Sequence, residues 1–213
     1  MSKHRGMFAV CAVTILCFIS VSHSAPLVCE KLVHPLDELA AHHFEGRWAL
    51  VAGSLNHPPS MEALRLRDSI TMYFSNSTET STYTQINRFG DQCQHLAYNI
   101  SVDSSSFTFD VGNRFDLAGS FLYMSCPDCM VMTWRSKRRH SVDLYLLSRR
   151  RVMEQKEMEE FKAQLKCYQL PAPVVMDPTK ELCPEQPESQ PTAAATAQNL
   201  IQAEILLLQY NLT

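Results

Sequence analysis

Apolar residues recur at every second position through the middle of the chain. In the segment SITMYF, Ile70, Met72 and Phe74 share one face, with Ser69, Thr71 and Tyr73 on the other. In HLAYNIS, Leu96, Tyr98 and Ile100 alternate with His95, Ala97, Asn99 and Ser101. SFTFDV repeats the pattern through Phe107, Phe109 and Val111, and CMVMTW through Met130, Met132 and Trp134. SVDLYLL places Val142, Leu144 and Leu146 on one face, with Asp143 opposed. A period of two with aromatic and β-branched enrichment predicts half-buried strands. The threonine-rich TETSTYTQIN reads as a further, polar strand. SNST, NRFGDQ and VGNRF carry turn residues between the runs. Together with RWALVAGS and DLAGSFLYMS, the count is about eight short strands at the spacing of an antiparallel meander. That number is enough to close a barrel, and closure removes exposed strand edges.

The pattern changes after Arg151. MEQKEMEEFKAQLKC has no Pro or Gly, and Met158, Phe161 and Leu165 form a narrow apolar stripe at i, i+3 and i+7. This predicts a charged helix packed outside the barrel. LPAPVVMDPTKELC follows in extended form, because its prolines break helices. From Pro184 onward the composition is of low complexity and reads as a disordered tail, 187–213. LIQAEILLLQY within it is too short to span a bilayer.

The chain of 213 residues opens with Lys3, His4 and Arg5, then an uninterrupted apolar run from Phe8 to Val21 and small residues at 22–24. That is the layout of a signal peptide over residues 1–24, and it is shorter than a bilayer span of ~20 residues. The rest suits one domain, 25–186. Cys11 and Cys17 leave with the leader. Cys29, Cys93, Cys126, Cys129, Cys167 and Cys183 remain, an even set that reads as disulfides of a secreted, extracellular protein. The net charge of −3 argues against a nucleic-acid partner, which calls for a broad basic face. Asn76-Ser-Thr and Asn99-Ile-Ser are glycosylation sequons, Asn99 on an outward face; Asn211-Leu-Thr lies at the C-terminus.

Cys126 and Cys129 flank Pro127-Asp128 and read as a bond across a turn. The rival readings are a redox pair and half a zinc site; no second Cys-x-x-Cys follows, and the compartment is oxidising. No Gly-x-Ser-x-Gly, His-Glu-x-x-His or phosphate loop is present, so catalytic residues, metal and cofactor are all expected to be none. His42 and His43 are adjacent and read as surface residues of the lead-in. The basic run Arg135, Lys137, Arg138, Arg139, His140 joins the last two strands; it reads as a solvated turn or a cluster for an anionic head group.

The segment HFEGRWALVAG carries Gly46-Arg47-Trp48 at the entry to the first strand. Together with the strand count, the leader and the terminal helix, it resembles the lipocalins. The resemblance implies an eight-stranded antiparallel up-and-down barrel. Trp48 would plug its closed end, and an arginine, Arg149 in YLLSRRR or Arg150 if the register slips by one, would pack across the indole, a contact of ~0.5–2 kcal/mol. Within the family, PLVCEKLV, YFSNSTET, DQCQHLAYNIS and EEFKAQLKC…KELC are similar to the alpha-1-acid glycoprotein (orosomucoid) and apolipoprotein M type. That group includes the saxitoxin/tetrodotoxin- and tributyltin-binding plasma lipocalins of fish. The usual Thr-Asp-Tyr-like motif between the sixth and seventh strands is missing. The resemblance implies the pairs Cys29–Cys167 and Cys93–Cys183, where sequence alone leaves fifteen connectivities.

The expected function is a monomeric carrier holding a small hydrophobic or amphipathic ligand in the barrel. The lining would be Ile70, Met72, Phe74, Leu96, Tyr98, Ile100, Phe107, Phe109, Met130, Met132, Trp134, Val142 and Leu144. An eight-stranded barrel is just wide enough for one small ligand. Burial of roughly 250 Å² of its apolar surface would contribute about 6 kcal/mol, which allows micromolar binding. The alternative is an immunomodulatory or lipoprotein-associated protein that uses the barrel as a scaffold.

Overall fold

The computed structural model describes residues 29–36, 44–76, 81–109, 117–136 and 141–184. The leader, His42-His43, Val111, Lys137–His140 and the tail with Asn211 lie outside the described residues.

Eight antiparallel strands close on themselves. They are β1 (Gly46–Ser54), β2 (Ser69–Asn76), β3 (Ser81–Phe89), β4 (Gln92–Asp103), β5 (Ser106–Phe109), β6 (Leu117–Leu122), β7 (Cys129–Ser136) and β8 (Ser141–Ser148). Each pairs with the next, and β8 pairs with β1, which pairs with β2. Helix α1 (Pro58–Arg65) lies in the β1–β2 connection, and α2 (Gln155–Cys167) follows β8. The two-residue strand β9 (Val174–Val175) pairs with the upper half of β1, at Ala52 and Gly53. The lower half of β1, from Gly46 to Ala49, pairs with β2. β9 therefore occupies the place along β1 that β2 has left.

The prolines of the β1–β2 connection explain α1. Pro58 and Pro59 stand at its first positions, where a missing N–H costs nothing and the fixed φ suits a helix. Met61 and Leu64, one turn apart, are buried in the barrel cluster. α2 begins with a reciprocal capping box between Glu154 and Glu157, which satisfies two otherwise orphaned backbone donors.

Two apolar clusters result. One fills the barrel. The other lies between the outer faces of β1, β7 and β8 and helix α2, and holds Val51, Ala52, Val131, Leu144, Leu146, Phe161 and Leu165. Phe161 and Leu165 are 0 % and 3 % exposed, so each contributes on the order of 1.5–3 kcal/mol to docking the helix. The buried Gln164 amide also donates to the carbonyls of Leu32 and Tyr123, at 2.9 Å each.

Strand β1 breaks the simple alternation. Its register with β8 shifts between Leu50 and Ala52. Leu50 lies in the barrel cluster, while Val51 and Ala52 both face α2. Such a bulge lets one strand serve two cores.

Three disulfides are formed: Cys29–Cys167, Cys93–Cys183 and Cys126–Cys129. The first two close loops of 138 and 90 residues, each worth roughly 4–5 kcal/mol in the chain-entropy description. The segment after α2 crosses the outside of the barrel to reach Cys93. On the way Ser54 Oγ donates to Pro171 O at 2.8 Å, Met176 N to Val51 O at 2.8 Å and Ser69 Oγ to Glu181 O at 2.8 Å.

Candidate ligand-binding site

The antiparallel order sorts the loops between two ends. The lower end holds the start of β1, the β4–β5 and β6–β7 turns and the end of β8. The upper end holds α1 and the Gly90–Asp91 turn.

The lower end is sealed by the Gly-x-Trp segment. Gly46 has φ +87°, a conformation that favours glycine. A Cβ there would also lie 3.3 Å from an Arg149 guanidinium nitrogen. The Arg149 guanidinium carbon stands 4.2 Å from the centre of the Trp48 ring. Arg149 donates to Glu45 O at 2.8 Å and Arg47 O at 3.4 Å. The Trp48 indole N–H donates to Phe44 O at 2.8 Å, so the one polar atom of the buried ring is satisfied.

Above this floor the interior is crowded with rings. Phe74, Phe107 and Phe121 are at most 2 % exposed and touch edge-on or tilted, with centroids 5.4–6.0 Å apart. Met72, Ile100, Met130 and Met132 belong to the same cluster and are buried too. Gly119 makes it possible, since a Cβ there would lie 2.3 Å from the Phe107 ring.

The next layer up is different. Tyr98, Phe109 and Trp134 are only half-buried. Trp134 and Phe109 stack at 5.1 Å, with planes 4° apart. Tyr83 meets both edge-on, at 5.9 and 6.0 Å. By register, Ile70 stands level with Asn87, and Leu96 with Gln85. The expected lining thus divides into a sealed lower group and an upper group that presents a flat aromatic surface.

Strand β8 corrects the sequence reading. Residues directly opposite across an antiparallel pair share a face. Met130, Met132 and Trp134 oppose Leu147, Tyr145 and Asp143, so these are the inward residues of β8. Val142 and Leu144 face outward, toward α2. Asp143 is 6 % exposed, and its carboxylate accepts from the Asn56 N–H at 2.8 Å. The cause is that α2 buries the outer face of β8, so its apolar residues mark the helix contact and not the barrel.

Sequence reasoning also missed the inner face of β3. Tyr83, Gln85 and Asn87 alternate along it, with Gln94 of β4 directly opposite Asn87. The Tyr83 hydroxyl donates to Gln85 Oε1 at 2.7 Å, Gln85 Nε2 to Asn87 Oδ1 at 2.7 Å, and Asn87 Nδ2 to Gln94 Oε1 at 3.1 Å. Burial, with Tyr98 alongside, holds the Tyr83 hydroxyl far above the usual phenol range. It is therefore a neutral hydrogen-bonding group. The available signal was the alternation of Tyr83, Gln85 and Asn87 with Thr82, Thr84 and Ile86.

The basic run is only partly placed. Arg135 lies on the outer wall, its guanidinium 5.7 Å from the Tyr168 ring centre and donating to the Tyr168 hydroxyl at 3.3 Å. It belongs to the contact with the end of α2. Asn99 is exposed on β4, and Asn76 closes β2. At the lower end, ligand atoms of Cys126, Asp128 and Cys129 lie within 4.8 Å of one another. The two sulfurs are bonded to each other, which leaves no thiolate there for a metal. Among the described residues, no helix is long and apolar enough to cross a membrane.

A closed eight-stranded antiparallel barrel with a helix against its outside and Arg149 over Trp48 is the lipocalin fold. Solved structures agree. The chain superposes on the siderocalin Ex-FABP, described as functioning through dual ligand specificities, with a TM-score of 0.57 at 14 % identity, over 70 % of this chain and 99 % of that one. It superposes on lipocalin 12 from rat epididymis with a TM-score of 0.58 at 16 % identity, over 70 % and 91 % of the two chains. By sequence, no protein-family model and no curated protein matches the chain.

Proposed function

We propose that the chain is a secreted carrier that binds one small hydrophobic or amphipathic ligand in the upper half of its barrel. The observation that carries this reading is the contrast between the two aromatic layers. The lower rings are sealed, whereas Tyr98, Phe109 and Trp134 keep accessible surface inside a barrel wall. A dry core would bury them all. The siderocalin to which the fold is similar is a ligand-binding protein by its description. The disulfides fit an oxidising compartment, and glycans on Asn76 and Asn99 belong to the same reading. So does the narrower kinship with the orosomucoid and apolipoprotein M type.

The test is a fluorescence titration of the purified protein with a panel of amphipathic ligands. Binding on the upper layer should be saturable and should change Trp134 emission. Trp134→Phe should remove that response, because Trp48 lies in the sealed floor. Saturable binding with the response intact in Trp134→Phe would place the ligand elsewhere. No binding across the panel would leave the barrel as a scaffold.

A further inference from the structure

We infer that the hydrogen-bonded ladder on β3 is the selecting wall of the barrel. It favours a flat ring ligand that carries a hydrogen-bond acceptor, such as a carbonyl oxygen, on one edge. This rests on the carrier reading above.

Polar side chains in an otherwise aromatic interior are costly unless paired. Tyr83, Gln85, Asn87 and Gln94 pair with one another in a single file. That pairing still leaves donors over. A side-chain amide has two N–H groups, and the file uses one from Gln85 and one from Asn87. Among the described residues, the second N–H of each has no partner. The result does not depend on which way the amides are turned. If every amide were reversed, Gln85 would donate to the Tyr83 oxygen and Gln94 to Asn87, and Gln85 and Asn87 would again each keep one N–H. The wall therefore offers donors in either sense.

The surface beside the ladder sets the shape of what fits. Trp134 and Phe109 are parallel to within 4°, and Tyr83, the first rung, meets them at 71° and 74°. A planar ring lying on that stack would present one edge to the ladder. An acceptor on that edge would meet an amide N–H, while a plain hydrocarbon edge would leave the N–H unpaired. Such a difference is worth about tenfold in affinity.

Fluorene and 9-fluorenone are matched planar ligands that differ by one carbonyl oxygen. Both are titrated into the intact, disulfide-bonded full chain and into Gln85→Met and Gln85→Glu. Gln85→Glu removes both N–H groups of this half-buried side chain but keeps its shape and the acceptor for the Tyr83 hydroxyl, so it is the milder replacement should Gln85→Met impair folding. The inference expects either variant to lose about tenfold in fluorenone affinity, with fluorene unchanged within about twofold. If both ligands bind the wild type and each variant weakens both alike or neither, the ladder does not select, and the carrier reading stands. If neither ligand binds the wild type, the carrier reading falls and the inference with it.

Discussion

Replacing Gly119 by alanine adds one methyl group to the most crowded place in the barrel. The added carbon would lie 2.3 Å from Cε1 and Cζ of Phe107 and 2.9 Å from Cε2. Favourable carbon–carbon contact begins near ~3.5 Å, so the ring has to retreat by roughly 1 Å. It has nowhere to go. Phe121 and Trp134 stand 5.4 and 5.2 Å from its centre, and Phe74, Tyr83 and Phe109 lie within 6.3 Å. Phe107 is 1 % exposed. The cost should fall at the upper end of the overpacking range, about 2–3 kcal/mol, a fall in Tm of roughly 4–12 °C for a domain of this size. Thermal unfolding followed by circular dichroism, with disulfides intact, measures it. Gly90→Ala is the control. Gly90 has φ +56° and nothing within 4 Å of an added Cβ, so only backbone strain of about 1 kcal/mol remains. Phe107→Leu should relieve the clash, giving a double-mutant coupling above ~0.5 kcal/mol with Gly119→Ala. A Gly119→Ala protein as stable as Gly90→Ala would refute the packing described for the lower layer.

Two further changes probe the outer side. Leu144→Ala should cost about 2–5 kcal/mol in denaturant unfolding yet leave ligand affinity unchanged, because Leu144 faces α2; a shift in affinity without loss of stability would return it to the barrel. The Glu157 carboxyl is held below its usual range chiefly by the hydrogen bond from Arg150. Its contribution is thus present above the ordinary value of 4.5 and lost as pH falls through the lowered one. Glu157→Gln should flatten the acid limb of the stability–pH curve below that value, and an acid limb identical to wild type would count against the Arg150–Glu157 contact.

How far the sequence could be read depended on what covers each strand. On β4 one face meets the barrel core and the other meets solvent: Ala97, Asn99 and Ser101 are exposed while Leu96 and Ile100 are buried. There a period of two names the inward residues directly. On β7 and β8 the helix buries the outer face as well. Val131, Thr133, Leu144 and Leu146 are all fully buried, and polarity no longer separates inside from outside. On β8 the inward set even contains the carboxylate of Asp143. Only the pairing with β7 resolves this, and a register is not written in one strand alone. The bulge at Leu50–Ala52 escaped for the same reason, since it exists to feed two cores. Helix α1 was signalled by its paired prolines but is too short for its apolar spacing to stand out.

The contrast between the two ends of the barrel follows from the same distinction. The lower end was legible because its causes are local: a glycine at positive φ, an indole two residues on, and an arginine at the end of β8 to cover the ring. Each residue type has one reason to be there, and the reasons hold whatever the rest of the barrel contains. The ladder on β3 has no such local signature. Tyr83, Gln85 and Asn87 belong to a stretch whose composition reads as solvent-facing. They become interior residues only because Gln94, Leu96 and Tyr98 on β4 share their face, and because the rings of Phe109 and Trp134 close over Tyr83 from the far side. A polar strand turned inward is tolerated where its groups satisfy one another, and the one N–H of each mid-ladder amide that has no partner among the described residues is what a purely structural network would have least reason to keep.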